Sequence, residues 1–303
     1  RTERVTIDWR GAGTLATGLA ALTLLCSWGG SQYPWTSAPI ITLGVVTAAA
    51  LAAFVAVERR VTEPILSLTL FRSRNFTATT TLTFLTGFAM FGAVTFLPQF
   101  QQNIQGASAT SSGLQLLPLM GAMLATSLLG GQLVTRTGRY RGLLITGSVI
   151  MTAGLTLLAT MSVTTGQLTT SMYMVVLGVG MGLLMQTTML VVQNSVAQRD
   201  VGVASGAATL FRTIGGSIGV SLLGTLFTQQ VQSALPDRTG GAPAGGQITP
   251  GTLEQLPAPL REAYQTAITS GIHQVFLGGA AIAVVALIAA WAIREVPLRG
   301  SVT

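Results

Sequence analysis

The 303 residues are 49% hydrophobic and only 8% charged, against roughly a quarter charged in an ordinary soluble domain, which argues against a soluble fold. The net charge of +7 comes from sixteen arginines without a lysine; they stand singly between apolar runs, not gathered on one face as a nucleic-acid binder requires. A single cysteine, Cys26, excludes disulfides within the chain and a cysteine-based zinc site.

A bilayer core about 30 Å thick is crossed by roughly 20 apolar residues of helix, because backbone polar groups must pair with one another in lipid. Runs of that kind lie, in chain order, at Gly11 to Trp28, Pro39 to Val57, Phe76 to Phe100, Gly113 to Val134, Gly142 to Met161, Ser171 to Val192, Val203 to Phe227 and Val275 to Ile293. The expected fold is therefore all-α, a polytopic membrane protein of eight transmembrane helices. Trp28 and Trp35 flank the first outer loop, where indole favours the headgroup layer. A long segment at about 229–273, rich in Gly, Pro and polar residues and with a helical patch around Leu256 to Ala267, is expected as a loop outside the membrane.

Arg1, Arg4, Arg10, Arg59, Arg60, Arg72, Arg74, Arg136, Arg139, Arg141, Arg199, Arg294 and Arg299 fall on one side of these spans, Arg238 and Arg261 on the other. Basic residues in short loops are retained in the cytoplasm, so both ends are expected there. The preference for arginine over lysine suggests a high-GC bacterial genome, hence a bacterial cytoplasmic membrane. Arg1 stands in place of an initiator methionine and leads straight into apolar sequence, so further residues are expected upstream.

Every carboxylate falls in a loop or at a span end, and no paired acids, nucleophile triad or phosphate loop can be assembled. Neither an enzyme nor a cofactor is expected. His273 sits near the outer start of the last span and receives no role. Asn75-Phe76-Thr77 matches a glycosylation acceptor, but the topology puts it inside the cell and the match is set aside.

The loop between the fourth and fifth spans reads Gly130-Gly131-Gln132-Leu133-Val134-Thr135-Arg136-Thr137-Gly138-Arg139-Tyr140-Arg141. It resembles the signature of the major facilitator superfamily: glycine, acid, arginine, glycine and paired basic residues between two helices. Gly131, Arg136, Gly138, Arg139 and Arg141 would form a conformational latch, the glycines allowing a tight turn and the arginines bonding helix C-terminal carbonyls or neighbouring acids. Simple positive-inside charge is the other reading, and Thr135 stands where the pattern carries an aspartate. Phe96-Leu97-Pro98-Gln99-Phe100-Gln101, the Gly113 to Pro118 stretch, Ala204-Ser205-Gly206 through Arg212 to Gly215-Gly216, Glu295-Val296-Pro297-Leu298-Arg299 and the opening Asp8-Trp9-Arg10-Gly11 together resemble the fourteen-helix drug-proton antiporters of that superfamily.

The resemblance implies that residues 1–75 carry two linker helices and a cytoplasmic loop, and that residues 76–303 form the C-terminal six-helix half. The N-terminal six helices, with their membrane acids, would be the absent partner. It implies a multidrug or antibiotic efflux transporter working by proton antiport and alternating access on small amphipathic substrates. The third and sixth spans would line the central cavity. On them Phe84, Phe88 and Phe91 share one stripe, while Gly178, Gly182, Gln186 and Gln193 share another beside Met181, Met185 and Met189. Such aromatic and methionine surfaces accept many apolar shapes, although they also suit lipid or helix packing. Gln115 and Gln132 raise the same question. Gly215 and Gly219 are assigned to packing. Arg212, the arginine within a span, either pairs with a carbonyl, an acid or an anionic substrate, or snorkels to the cytoplasmic interface. A membrane scaffold or regulator derived from a transporter half is the alternative to the exporter.

Overall fold

The computed structural model describes residues 8–29, 32–61, 68–234 and 257–296. Among them the chain forms α1 (Trp9–Trp28), α2 (Ala38–Glu58), α3 (Arg74–Asn103), α4 (Ala109–Leu114), α5 (Leu117–Thr137), α6 (Arg141–Ala159), α7 (Gln167–Asn194), α8 (Val201–Ala234) and α9 (Ala258–Ala292), with a 3-10 turn at Leu68–Arg72 before α3. Taking α4 and α5 as one crossing, eight helical segments are long and apolar enough to span a membrane. Several starts are written locally. The Asp8 carboxylate accepts from the Arg10 and Gly11 amides at 3.1 and 2.9 Å, and the Ser108 hydroxyl accepts from Ser111 N at 3.1 Å, each pairing amides that a helix leaves open.

Two spans differ from the sequence reading. The fourth begins at Ala109 and breaks between Leu114 and Leu117, because Pro118 has no N–H to return to the carbonyl four residues back; a tighter bond from Leu116 N to Gly113 O, 3.2 Å, bridges the break. The last begins at Ala258 and runs unbroken for 35 residues, roughly 50 Å at 1.5 Å per residue, well beyond a bilayer core. The expected loop from Gln229 to His273 is therefore helical at both ends: the expected helical patch around Leu256 to Ala267 is the start of this long helix, and α8 continues to Ala234. Hydropathy alone hid the start of α9, whose polar side chains still sit on a helix opened by a proline in its first turn. The remainder, residues 235–256, lies outside the described residues, as do Arg1, Arg4, Arg238 and Arg299.

Lipid is as apolar as leucine, so helices in a membrane associate through close fit and not through escape from water. Small residues supply that fit. On α8, a side chain at Gly215 would overlap the Phe84 carbonyl of α3, and one at Gly219 would come within 2.8 Å of the Phe88 carbonyl. In return, Gly87 of α3 abuts the Arg212 main chain. Between α6 and α7, Gly180 presses on the Met151 main chain and Gly154 on that of Leu177, 2.7 Å from an ideal Cβ. Around these contacts a core spans α3, α5, α6, α7 and α9, including Leu97, Phe100, Leu119, Met151, Leu155 and Phe276.

Helices α1 and α2 pack on each other, with Leu51 Cδ2 3.0 Å from an ideal Cβ on Gly18, and reach the bundle mainly through α1 against α8. At the arginine-rich end, Phe54 of α2 joins Phe76, Val192, Ala204 and Ala208 in a second cluster. Phe71 of the 3-10 turn closes it, edge-on to Phe76 with ring centroids 5.2 Å apart.

Replacing Gly215 by leucine is expected to force α3 and α8 apart, costing about 1–3 kcal/mol of overpacking strain. The check is the thermal midpoint in detergent, which should fall for Gly215→Leu and stay level for Gly121→Ala, where an added Cβ meets nothing within 4 Å.

Candidate functional site

On α7 the residues Gly178, Gly182 and Gln186 follow one another at four-residue spacing, and this stripe faces α5. A side chain at either glycine would overlap the main-chain carbonyl of Leu119 or Met123, so the two backbones touch there. The Thr126 hydroxyl lies at the crossing, 2.7 Å from its own helix at Ala122 O and 3.3 Å from Val179 O of α7. One turn further toward the arginine-rich end the glycines give way to Gln186, and a groove opens beside it. The Gln186 side chain lies over Gly131 of α5, its Cγ 3.2 Å and Nε2 3.4 Å from where a Cβ would stand.

The opening is a groove of about 300 Å³ lined by Ser127, Leu128, Gly131, Gln132, Thr135, Gln186 and Leu190. Its walls are leucine and its polar groups are neutral. Among the described residues the Gln186 amide has no hydrogen-bond partner, whereas Gln193, two turns on, gives its Nε2 to Ser205 Oγ of α8 at 3.1 Å. Elsewhere Gln102 bonds Ser112 at 2.8 Å and Gln105 bonds Thr170 at 3.0 Å, whereas among the described residues the buried Gln101 amide, like that of Gln186, has no partner. Gly131, expected in the latch, is the floor of this groove.

The other expected cavity residues divide. The Phe84, Phe88 and Phe91 stripe meets the glycines of α8: Phe84 and Phe88 through their main chains, Phe91 through its ring against Gly216. Phe88 is buried with Phe96, Leu223 and Val275, while Phe91 keeps 38% of its surface exposed. Met181 is buried in the main core; Met185 and Met189 are half-buried. Gln115 sits at the α4–α5 break, its Nε2 3.3 Å from Ser111 Oγ. Arg212 is half-buried, and among the described residues the one ion pair joins Arg199 to Asp200 at 3.7 Å, leaving Arg212 without an acid. Also among them, no three metal-ligating side chains converge.

At the arginine-rich end, α5 closes on Gly138, whose φ of 69° is the left-handed conformation a helix stop needs. The chain turns directly into α6, and Arg141 Nη2 donates to Trp291 O at the end of α9, 3.2 Å away. Arg136 and Arg139 stand exposed. The other contacts that hold this turn come from residues to which the sequence reading gave no role. Tyr140 N donates to Glu295 Oε1 (3.2 Å), Tyr140 Oη donates to Arg294 O (3.0 Å), and the same oxygen accepts from Val296 N (2.7 Å). On the opposite side Asn75 pairs with Arg294 twice, Nδ2 to Arg294 O at 2.8 Å and Arg294 N to Oδ1 at 2.9 Å. The strand-like tail of α9 is thus strapped between α3 and α6. Asn75 entered the sequence reading as a discarded glycosylation match; a tyrosine inside the signature loop was the available signal for Tyr140. At the far end His273 Nδ1 bonds Ala159 O at the end of α6, joining α9 to α6 there too.

A sequence model of the Major Facilitator Superfamily matches residues 9–220. An uncharacterized MFS-type transporter of Mycobacterium tuberculosis is 40% identical over 98% of this chain and 44% of its own length. Multidrug transporter protein MdtP of Bacillus subtilis is 36% identical over 78% of this chain and 44% of its own length. The chain thus spans less than half of these relatives. Among solved structures, a bacterial homolog to the human lysosomal transporter Spinster, inward-facing and occupied, superposes with a TM-score of 0.63 at 16% identity, covering 96% of this chain and 67% of that one; at that identity the likeness concerns the fold.

Tyr140→Phe removes two hydrogen bonds of the strap and is expected to cost about 1–3 kcal/mol, read as faster amide exchange at Arg294 to Val296 with exchange at Gly180 unchanged. Burial pushes the Tyr140 phenol above its ordinary range, with the Glu295 carboxylate adding to it and the Val296 amide opposing it. A raised phenol stabilises the fold fully below the ordinary tyrosine range, about pH 10, and loses that contribution as pH climbs through the raised value. A late-ionising phenol in an absorbance titration, gone in Tyr140→Phe, is the expected signature.

Proposed function

The chain belongs to the major facilitator superfamily, and on that premise we propose that it is part of a secondary active exporter of small amphipathic, drug-like molecules. The observation that carries this reading is the Gln186 groove: leucine walls beside neutral polar groups in a gap between α5 and α7, a surface suited to ligands that are apolar over most of their area and polar at one edge. Kinship with a protein named as a multidrug transporter agrees with it.

In this proposal the chain is the C-terminal part of a fourteen-helix drug-proton antiporter: α1 and α2 are the linker pair and α3 to α9 the six-span half. The bacterial cytoplasmic membrane holds it, with the arginine-rich ends of the helices inside the cell. Alternating access rocks two halves about a shared site, so the groove is one wall and a second helical half is the other. Protons supply the driving force. Carboxylates are absent from the middle of all eight spans, so the group that carries the proton belongs to that second half. The strap at Tyr140 and Asn75 keeps the ends of α3, α6 and α9 together, so that this half moves as a body.

The test is efflux of a fluorescent lipophilic cation from cells expressing this chain alone or together with the N-terminal half of a relative, with and without an uncoupler. Efflux is expected with both halves together and to stop on uncoupling. Efflux that survives the uncoupler removes protons from the reading, and inserted protein without efflux in either arrangement removes this cation from its substrates.

A further inference from the structure

Building on the export reading, we infer that the Gln186 groove selects for neutral hydrogen-bonding groups, such as a carboxamide or a keto-enol edge, and does not read ligand charge. Three observations converge on this. The groove carries Ser127, Gln132, Thr135 and Gln186 as its polar residues, and none of its lining residues is ionisable. A cation therefore finds no acid there and an anion finds no base. Next, the Gln186 amide is held and yet unsatisfied. It rests on Gly131, which has no side chain to displace it, while its stripe-mate Gln193 is committed to Ser205. An amide offers a donor and an acceptor side by side, so a ligand with the complementary pair gains both bonds. Finally, the opening is built in and needs no rearrangement of α5 or α7. The glycines at 178 and 182 bring the helices into contact, and the groove lies beside Gln186 one turn beyond them.

Gln186 is accordingly a specificity-determining residue, and Gly131 a positioning residue that sets the height of the amide. A site of this kind sorts drugs by polar edge and leaves formal charge to be recognised elsewhere in the transporter.

The experiment measures binding to the chain in lipid nanodiscs by scintillation proximity, using two radiolabelled probes: chloramphenicol, neutral with an amide and hydroxyls, and tetraphenylphosphonium, a cation with no hydrogen-bonding group. Gln186→Leu is expected to weaken chloramphenicol roughly three- to tenfold, the range of one or two neutral hydrogen bonds, and to change tetraphenylphosphonium less than about twofold on the same reasoning. Gln186→Asn should restore part of the loss, which a purely structural role would not predict, and Gln193→Leu, away from the groove, should leave the ratio between the probes as in the parent chain. Unchanged chloramphenicol binding in Gln186→Leu, or equal losses for both probes in folded protein, overturns the inference. Parent chain that binds the cation but not chloramphenicol also overturns it and leaves the export reading standing; if it binds neither, the inference fails and the efflux assay decides the export reading by itself.

Discussion

Direct contact between helix backbones is the constraint on which the rest of this structure depends. In lipid the helices gain little by hiding leucine from their surroundings, so their positions are fixed where side chains are missing. Gly215 and Gly219 seat α8 on α3, Gly180 and Gly154 join α6 to α7, and Gly178 and Gly182 set α7 on α5. Helix α7 carries two glycine faces and therefore stands between α5 and α6. The buried leucines and methionines fill the space those contacts define; they do not choose it.

The same constraint makes the site. A groove between two helices held by glycine opens at the first large residue on the contact stripe, and here that residue is Gln186. Polar character at this place is then a matter of one side chain and its floor, Gly131, with leucine on either side. The strap works by a different physics. The last carbonyls of a helix lack partners within it; at the end of α9 Arg141 bonds that of Trp291, and Tyr140 and Asn75 bond that of Arg294 just beyond the helix. Directional bonds to main-chain atoms thus finish an assembly that shape-fitting begins.

Much of the fold was legible in the sequence because membrane length and apolar composition leave few solutions: each of the eight expected spans corresponds to a helical segment. What escaped was the behaviour of helices beyond the apolar run. Nothing in hydropathy distinguishes the polar first turns of α9 from a loop, and the break before α5 depends on Pro118, whose effect is local geometry and not polarity. Of the candidate residues, Gln186 was picked out by the rule that a lone amide in a span is unfavourable and lines the groove, yet Met181 on the same helix and Phe88 on α3 turned out to be core. Facing direction within a bundle is a property of pairs of helices, and one helix's sequence carries half of it. Tyr140 and Asn75 were hidden for a related reason: their partners lie 154 and 219 residues away.

Those separations bear on how the bundle is assembled. A chain enters the membrane in order of synthesis, and sub-structures made of near neighbours close first. The hairpin of α1 and α2, and the glycine contacts of α6 with α7, join helices that emerge in succession and are free to settle as they appear. The tie from Asn75 to Arg294 cannot close until α9 has left the ribosome, so α3 waits in the bilayer with its first turn unfastened through the synthesis of the helices between them. Residues 293–296 are in this sense a clasp, and the bundle becomes a single mechanical unit only once they have been made.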